Sequence, residues 1–365
     1  MNNNMKLLYI TFIDFGKAIS GSSVRPQKMY AAFGALGCDI LLLEGQQNDR
    51  SRRRKNVKAV LKKLKSFRPD ICYIEPPSGP FFNSIDYELL RRLKKMHVPM
   101  GLFYRDMYWK FGLQKGNDLI SRIKASLVSC MQRRDWRRFS KTLNIIYFPT
   151  EEMAKILPCS CAVKALPPGC FEAAVRYPMN EVPTGIYVGG VAELYGTEKL
   201  LRAAEQVNAQ RVKFRLKLVC RETEWNRFVE QNNFHPDDRW LEVLHISGDD
   251  QLSDQYGKSD FALCPQQVTE YNHITISVKF MEYISYGKPI IVTACRPLKS
   301  YVEQYGIGIV AEDTTEDFAR ALERMAEDPV GRGEMAQRCL LARSQNLWID
   351  RAQTVIKDLS AINEG

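Results

Sequence analysis

The chain has 365 residues, of which 45% are hydrophobic and 26% are charged. That length suits two domains, each large enough to bury its own core, and the composition is that of an ordinary globular protein. No apolar run approaches the roughly 20 residues of a membrane-spanning helix, and residues 1–6 lack the apolar core of a signal peptide. These features argue against a helical integral membrane protein, and we expect a cytoplasmic one.

Cysteine and histidine usage argues against a metal centre. The ten cysteines follow no paired spacing, which is typical of a reducing compartment. Cys159 and Cys161 are the only close pair, and the four histidines form no convincing zinc pattern. We therefore expect neither a metal ion nor a bound cofactor.

The formal net charge of +10 is distributed unevenly along the chain. Residues 1–170 contain 30 Lys and Arg against 13 Asp and Glu, a balance of +17, whereas the remainder carries −7. A basic half and an acidic half indicate different partners.

The first half alternates between strand and helix patterns. Its predicted strands are residues 5–12, 37–43, 71–74, 100–104 and 144–148. The loop after the first strand contains Gly16 and Gly21 and leads to Arg25-Pro26, where the proline can start a helix. Residues 167–183 are rich in helix and strand breakers and mark a domain junction.

The second half continues this alternation. Its predicted strands are residues 185–190, 214–220, 241–245, 261–265 and 290–293, with helices between them. Repeated βα units imply a doubly wound parallel sheet. In such sheets ligands bind beyond the carboxyl ends of the strands, where Gly189 and Arg221 fall.

Residues 277–293 combine an amphipathic helix, a glycine at its end and a buried strand. Free N–H groups and the positive dipole at a helix N-terminus suit a phosphate, which makes Ser277 and Lys279 candidates. Glu282, one turn later, is placed to accept hydrogen bonds from a ribose. The alternative is an ordinary surface helix with solvated charges.

Three segments carry a family resemblance: Val188 to Gly196 with its paired glycines, Ser259 to Pro265, and Ser277-x-Lys-Phe-x-Glu-Tyr-x-x-x-Gly-Lys-Pro. Their order and spacing resemble the donor half of retaining, nucleotide-sugar-dependent glycosyltransferases of GT-B architecture, close to family four. The resemblance covers roughly residues 180 to 340 and implies two Rossmann-like, doubly wound α/β domains facing a cleft. The implied acceptor domain is 1–170, the donor domain is 171–340, and a helix in 341–365 crosses back to the first domain.

The resemblance also implies a function. The enzyme would move a hexose from a nucleotide-diphosphate sugar to a hydroxyl of a glycan or lipid-linked glycan. Retention, metal independence and a place in bacterial capsule or cell-surface polysaccharide synthesis are part of the same expectation. The alternatives are another GT-B enzyme, inverting or epimerase-like, and a non-catalytic sugar-nucleotide-binding or scaffold protein of a glycan-assembly complex.

The chain departs from the family pattern where the donor's phosphates and sugar would bind. The family usually carries an Arg and a Lys where this chain has Gly190 and Tyr195, and Ile274 replaces the first of two glutamates. We expect other cations to hold the diphosphate, with Arg105 among them, and backbone groups of residues 273–275 to hold the sugar. The candidate donor-binding residues are Gly16, Gly21, Arg25, Gly189, Gly190, Arg221, His273, Ile274, Thr275, Ser277, Lys279 and Glu282.

Arg105 and Asp106 follow the strand at 100–104, where relatives often carry a His–Asp pair near the acceptor. Asp106 could accept a proton from the acceptor hydroxyl or orient that hydroxyl, since a carboxylate is a plausible general base. The alternative is a structural ion pair between Arg105 and Asp106.

The basic stretch at residues 122–141 is a candidate membrane or acceptor patch. Arginines at lipid headgroups and an inserted Trp136 or Phe139 would place the enzyme on the inner face of the cell membrane, near a polyprenyl-diphosphate-linked acceptor. The alternative is a solvated helix face that packs on its own sheet, and no motif predicts nucleic-acid binding. The patch residues are Arg133, Arg134, Trp136, Arg137 and Arg138.

Overall fold

The computed structural model describes residues 4–15, 23–113, 118–178 and 180–362. The chain divides into two compact units. Unit 1 consists of Met1–Pro168 together with Trp348–Gly365, and unit 2 consists of Gly169–Leu347. Each unit is built on a sheet of six parallel strands.

The sheet of unit 1 has the strand order β2-β1-β3-β4-β5-β6. Its strands are β1 (Lys6–Thr11), β2 (Asp39–Leu43), β3 (Ile71–Glu75), β4 (Met100–Phe103), β5 (Ile145–Phe148) and β6 (Ala162–Ala165). The first five agree with the runs of apolar residues. The sequence does not predict β6, because this edge strand leaves most of its side chains exposed and shows no buried run.

Helices connect the strands of unit 1. They are α1 (Val24–Ala35), α2 (Arg50–Phe67), α3 (Ser84–Lys95), α4 (Tyr108–Phe111), α5 (Leu119–Thr142) and α6 (Glu151–Ala154). Aspartates start the two long ones: the Asp49 carboxylate accepts the Arg52 N–H at 3.0 Å, and that of Asp118 accepts the Ser121 N–H at 2.9 Å.

The last helix of the chain belongs to unit 1. Numbered α14 (Trp348–Ser360), it packs against α1, β3 and β4. The Asp358 carboxylate accepts hydrogen bonds from the Tyr147 hydroxyl at 3.2 Å and the Lys164 ammonium at 2.6 Å. The chain passes between units at Leu347, later than the boundary predicted at residue 340, because the preceding helix continues to Ser344.

The sheet of unit 2 has the strand order β12-β11-β10-β7-β8-β9. Its strands are β7 (Thr184–Val188), β8 (Arg215–Val219), β9 (Leu241–Leu244), β10 (Phe261–Cys264), β11 (Ile290–Thr293) and β12 (Gly308–Ala311). Its helices are α7 (Thr197–Asn208), α8 (Glu222–Asn232), α9 (Asp249–Gly257), α10 (Val278–Ser285), α11 (Arg296–Tyr305), α12 (Thr315–Glu327) and α13 (Pro329–Ser344).

Successive residues of the unit 2 strands enter two separate cores. In β11, Ile291 packs into the cluster that contains α7 and α12, whereas Ile290 and Val292 pack into the cluster that contains α10 and α11. Since side chains alternate along a strand, the two clusters cover opposite faces of the sheet. The predicted doubly wound α/β class is therefore confirmed.

A fully buried arginine organises the carboxyl end of β1 in unit 1. Arg53 of α2 lies 2.8 Å from the Asp86 carboxylate and donates to the Thr11 and Gly45 carbonyls at 2.7 and 3.1 Å. Its guanidinium also stacks 3.9 Å from the centre of the Phe12 ring. These contacts fix the loops that follow β1 and β2, because a buried charge must be paired and hydrogen-bonded.

We expect Arg53→Met to lower the free energy of unfolding by about 3–5 kcal/mol, because it leaves the Asp86 carboxylate buried without a partner. Adding Asp86→Leu should recover part of this loss. Urea denaturation measures both, with Arg54→Met, an exposed neighbour on the same helix, as the control. If Arg53→Met is as stable as Arg54→Met, the Arg53–Asp86 pair does not hold the loops.

Candidate functional site

The paired glycines after β7 lie in a crowded loop of unit 2. The Gly189 N–H donates to the Val219 carbonyl at 3.0 Å, and the Gly190 carbonyl accepts the Tyr187 hydroxyl at 2.7 Å. A Cβ on Gly190 would lie 2.7 Å from a Tyr195 ring carbon and 3.1 Å from a Glu224 carboxylate oxygen. The two departures from the family pattern are thus linked, because the tyrosine ring fills the space that a longer residue 190 would need.

The loop from Gly190 to Gly196 is locked against the segment after β10. Gly196 has a φ of +68°, and a Cβ there would lie 1.8 Å from the Pro265 carbonyl oxygen, so this close approach requires glycine. The Leu194 carbonyl accepts the Gln267 N–H at 3.2 Å and the Asn272 side-chain amide at 3.0 Å. The two loops therefore form one rigid edge.

Helix α10 begins at the same edge. The Ser277 hydroxyl caps it by accepting the Phe280 N–H at 3.2 Å, which leaves the other N-terminal amides unused by this cap. The Tyr283 hydroxyl accepts the Val188 N–H at 2.9 Å and so ties α10 to the end of β7. The helix N-terminus and the glycine loop are consequently held in one place.

Glu282 is mostly buried and has one free oxygen. Its Oε2 accepts hydrogen bonds from the Lys279 ammonium at 2.6 Å and the Tyr256 hydroxyl at 3.1 Å. Among the described residues no hydrogen bond reaches Oε1. The carboxylate is oriented by two donors and retains an acceptor atom for a ligand.

Other predicted donor residues surround this edge. Arg221 precedes α8, is largely exposed and donates to Glu224 at 2.9 Å, while Glu224 also accepts the Val191 N–H at 3.0 Å. His273 and Ile274 lie in a short 3₁₀ turn, where His273 Nδ1 accepts the Arg296 N–H at 3.2 Å. The Ile274 side chain is buried, so only backbone atoms of that residue are available; Thr275 follows in extended conformation.

In unit 1, a buried carboxylate sits between two arginines. Glu75 Oε1 accepts hydrogen bonds from Arg25 at 3.0 Å and the Tyr73 hydroxyl at 2.8 Å, and Oε2 lies 3.9 Å from Arg105. The Arg25 guanidinium is 3.3 Å from the centre of the Phe103 ring. Arg25 is thus a buried structural residue in this arrangement, whereas Arg105 is partly exposed.

Asp106 does not pair with Arg105 by direct contact among the described residues. Its Oδ1 is buried without a hydrogen-bond partner among the described residues. Burial raises the pKa of Asp106 to about 6, and the Arg105 charge and the polar groups of Ser78 and Tyr108 offset only part of that rise. This carboxyl titrates near neutral pH, which suits a group that accepts a proton.

The predicted patch on α5 divides into exposed and buried residues. Arg133, Arg134, Arg137 and Arg138 are exposed. Trp136 is only 7% exposed: its indole N–H donates to the Pro158 carbonyl at 3.0 Å, and its ring packs 5.4 Å from that of Tyr104. The prediction that Trp136 inserts into a membrane is therefore wrong, because the ring belongs to the core of unit 1.

Gly16 and Gly21 lie outside the described residues. Within residues 4–15, 23–113, 118–178 and 180–362, no helix is long and apolar enough to span a membrane, and no cluster of three metal-ligating side chains occurs.

The comparison with protein families matches one of the two units. Residues 182–328, which lie in unit 2, match the family described as "Glycosyl transferases group 1". Unit 2 therefore carries a group 1 glycosyltransferase domain, and the protein is a glycosyltransferase. No curated protein sequence matches it.

Solved structures show that this glycosyltransferase has the GT-B fold. The sucrose-phosphate synthase tll1590 from Thermosynechococcus elongatus has a TM-score of 0.69 at 12% identity, over 97% of this chain and 98% of its own. WaaG, a glycosyltransferase involved in lipopolysaccharide biosynthesis, has 0.65 at 14% identity, over 97% and 99%. Anabaena Alr3699/HepE in complex with UDP has 0.63 at 12% identity, over 98% and 100%.

The sequence does not point to four residues that shape the candidate sites of this glycosyltransferase. Glu75 ends a wholly buried strand, and the position of a charged residue there is the one signal that could have identified it. Tyr256 bonds to a residue 26 positions away, Glu224 accepts a backbone N–H from 33 positions away and Gln132 donates to a carbonyl 54 positions away, so no local pattern marks these contacts.

We expect Asp106→Asn to remove a pH dependence of stability from the glycosyltransferase. Since the pKa of about 6 lies above the usual 3.8, the wild type loses stability as pH rises from about 4 to 6, and the loss then levels off near 3 kcal/mol. The difference in unfolding free energy between variant and wild type should grow across this range. Urea denaturation at several pH values measures it, and exposed Glu88→Gln is the control.

If the difference in unfolding free energy between Asp106→Asn and the wild type stays constant from pH 4 to 7, the pKa of Asp106 is not raised. That result would also weaken the assignment of proton transfer to this residue.

Proposed function

We propose that this glycosyltransferase moves a hexose from a nucleoside-diphosphate sugar to a hydroxyl of a glycan or polyprenyl-diphosphate-linked glycan, with retention and without a metal ion. The process we assign to it is bacterial capsule or cell-surface polysaccharide synthesis. Two relatives in fold support this class: the HepE structure is in complex with UDP, and WaaG is involved in lipopolysaccharide biosynthesis.

One observation carries the donor half of the proposal. Glu282 is held by Lys279 and Tyr256 through one oxygen, behind the capped N-terminus of α10, with its other oxygen free. A ribose diol donates to carboxylates, and N-terminal amides with a nearby ammonium accept phosphates. The same short helix thus offers complementary groups to both parts of a nucleotide.

Binding of the diphosphate would draw on cations that already have partners. Arg221 is paired with Glu224 and Lys279 with Glu282. The Arg221 guanidinium is largely exposed, so its ionic contact is weak enough for a phosphate to replace it. The Lys279 ammonium is less exposed, and a phosphate would share it with Glu282. We assign the diphosphate to these two cations together with the amides at Ser277.

We expect one nucleotide among UDP, GDP and dTDP to raise the melting temperature of the wild type without added metal, because a ligand that binds the native state stabilises it. Glu282→Gln should weaken that nucleotide about 10–100-fold, since it removes a charged acceptor for the ribose. Thermal shift titration measures both effects. Glu303→Gln, an exposed carboxylate of α11, is the control.

The donor proposal fails if no nucleotide shifts the melting temperature, or if Glu282→Gln binds as tightly as the control. For a nucleotide that binds, the anomeric configuration of the product sugar, followed by NMR, then distinguishes retention from inversion.

We further propose that the outer face of α5 binds the anionic inner surface of the cell membrane. In the first half of the helix, Leu119 is 72% exposed and Leu127 is 61% exposed. The exposed arginines follow on the second half. This arrangement suits a membrane surface, because the apolar side chains can enter the acyl region while the arginines contact the headgroups.

We expect Arg133→Gln/Arg137→Gln to weaken binding to phosphatidylglycerol vesicles at low salt at least tenfold, because each arginine near an anionic surface contributes about 1 kcal/mol. Ile120→Ser/Leu127→Ser should also weaken it. Co-sedimentation measures the binding. Lys58→Gln/Lys62→Gln removes the same charge from exposed positions of α2 and is the control.

If the control and the α5 arginine variant lose vesicle binding equally, the net positive charge of the protein attracts the vesicles, and not this helix face. Absence of wild-type sedimentation would contradict membrane association.

A further inference from the structure

Helix α2 of unit 1 carries an unbalanced positive charge. Its 18 residues include eight exposed Lys and Arg side chains and no carboxylate. Five of these cations follow one another at intervals of three or four residues: Arg50, Arg54, Lys58, Lys62 and Lys65. Residues at this spacing are neighbours on a helix surface, so the five form one stripe along α2. Like charges at these intervals repel one another, and the stripe therefore destabilises the helix that carries it.

Carboxylates within the chain do not neutralise this stripe. Among the described residues, Arg52 is the one exposed cation of α2 within ion-pair distance of a carboxylate, 3.3 Å from Asp14. Helix α13 of unit 2 shows a different arrangement, in which Arg338 lies 3.4 Å from Glu334, one turn earlier. The charge of the α2 stripe is thus available to a partner outside the chain.

Helix α3 extends the basic surface. It packs beside α2, and the buried pair of Arg53 from α2 with Asp86 from α3 joins the two helices. Four Lys and Arg side chains of α3 are exposed, against a single exposed carboxylate, that of Glu88. We call the exposed side chains of α2 and α3 together the α2–α3 face. It presents twelve cations and one carboxylate.

The α2–α3 face lacks the apolar side chains that suit a membrane. The apolar residues Val57, Val60 and Leu64 of α2 are buried. Large exposed apolar side chains occur instead on α5, where Leu119 and Leu127 lie. Helices that bind a membrane surface combine basic residues with apolar ones that enter the acyl region. The α2–α3 face therefore suits a soluble polyanion, in contrast to α5.

The face also lacks the features of a nucleic-acid site. Proteins that bind single strands stack the bases on exposed aromatic rings. The aromatic residues of these two helices are Phe67 and Tyr87, and both are half-buried, with the Tyr87 hydroxyl bound to Asp135. The observations favour an anionic polymer that has no bases to stack.

We propose that the α2–α3 face binds an acidic polysaccharide, in which carboxylate groups recur along the chain. A row of cations complements such a polymer because each lysine ammonium is a point charge that requires no fixed geometry of its partner. The inference rests on the proposed function, since an enzyme of cell-surface polysaccharide synthesis meets such a chain as its acceptor or product.

The stripe begins at the edge of the sheet where we place sugar transfer. Helix α2 follows β2, and Arg52 in its first turn reaches Asp14 in the loop after β1. From there the helix runs about 27 Å, at roughly 1.5 Å per residue, toward the opposite end of the parallel strands. A polysaccharide bound along α2 thus stays beside the carboxyl edge of the unit 1 sheet between rounds of transfer.

Fluorescence anisotropy with a labelled oligomer of galacturonic acid tests the proposal without a donor. The wild type should bind the oligomer, and raising NaCl from about 50 to about 300 mM should weaken this binding roughly tenfold, because salt screens exposed charges. The methyl-esterified oligomer has the same sugar chain without the charges and should not bind. If both oligomers bind alike, or neither binds, the proposal is wrong.

Two variants that remove equal charge locate the binding. Lys58→Gln/Lys62→Gln on α2 should weaken binding of the galacturonic acid oligomer about tenfold, whereas Arg133→Gln/Arg137→Gln on α5 should bind it like the wild type. Urea denaturation should show no loss of stability in the α2 variant, because the change removes repulsion between like charges. Equal weakening of oligomer binding in the two variants would assign it to net charge and overturn the proposal.

A single-stranded oligothymidylate with the same number of charges is the competitor. Unlabelled galacturonic acid oligomer should displace the labelled one at a lower concentration than the oligothymidylate does. If the oligothymidylate displaces it at the lower concentration, the face is a nucleic-acid site and the proposal is wrong.

This surface and the proposed function fail in different ways. If the wild type binds a nucleotide and transfers sugar but does not bind the galacturonic acid oligomer, the surface proposal is wrong and the glycosyl transfer stands. If the oligomer binds through α2 but no nucleotide binds and no donor is hydrolysed, the proposed function is wrong and the polysaccharide surface stands.

Discussion

The cost of burying a charge shapes both candidate sites. Parallel strands bring their carboxyl ends to one edge, and in unit 1 this edge holds buried arginines and carboxylates that would be strongly destabilising without partners. Arg53 is matched by Asp86 and Arg25 by Glu75, and each pair also binds neighbouring backbone or side-chain groups. Loop positions at this edge depend on these contacts. Asp106, Glu75 and Asp86 each keep one buried carboxylate oxygen without a hydrogen-bond partner at this edge.

The fold could be predicted well from the sequence, because the pattern that predicts it is local. A strand such as β11 is a short apolar run bounded by breakers, and α10 has a serine at its start and a glycine after its end. Edge strand β6 lacks that signal, since three of its four side chains are exposed. The crossing of the final helix to unit 1 came from the family resemblance, not from any local pattern.

The candidate sites could be predicted only in part. Lys279 and Glu282 are close in sequence, and their spacing on a helix makes them neighbours. Arg25 of α1 and Glu75 at the end of β3, by contrast, are 50 positions apart, and nothing near either residue indicates that the arginine's charge is already matched. Trp136 illustrates the same limit: the mixture of basic and aromatic residues on α5 does not reveal which side of the helix faces the sheet.

The departures from the family pattern have a common physical basis. Restoring an arginine at position 190 alone would force it into the Tyr195 ring and against Glu224, so the glycine and the tyrosine must change together. Glu224 also accepts the Val191 N–H and pairs with Arg221, which links the loop conformation to this exposed cation after β8. The Tyr195 ring and the Glu224 carboxylate thus hold the glycine loop. In the proposed donor site, Arg221 before α8 and Lys279 of α10 supply positive charge to the diphosphate, so we expect the position of the phosphates to depend on these two helices.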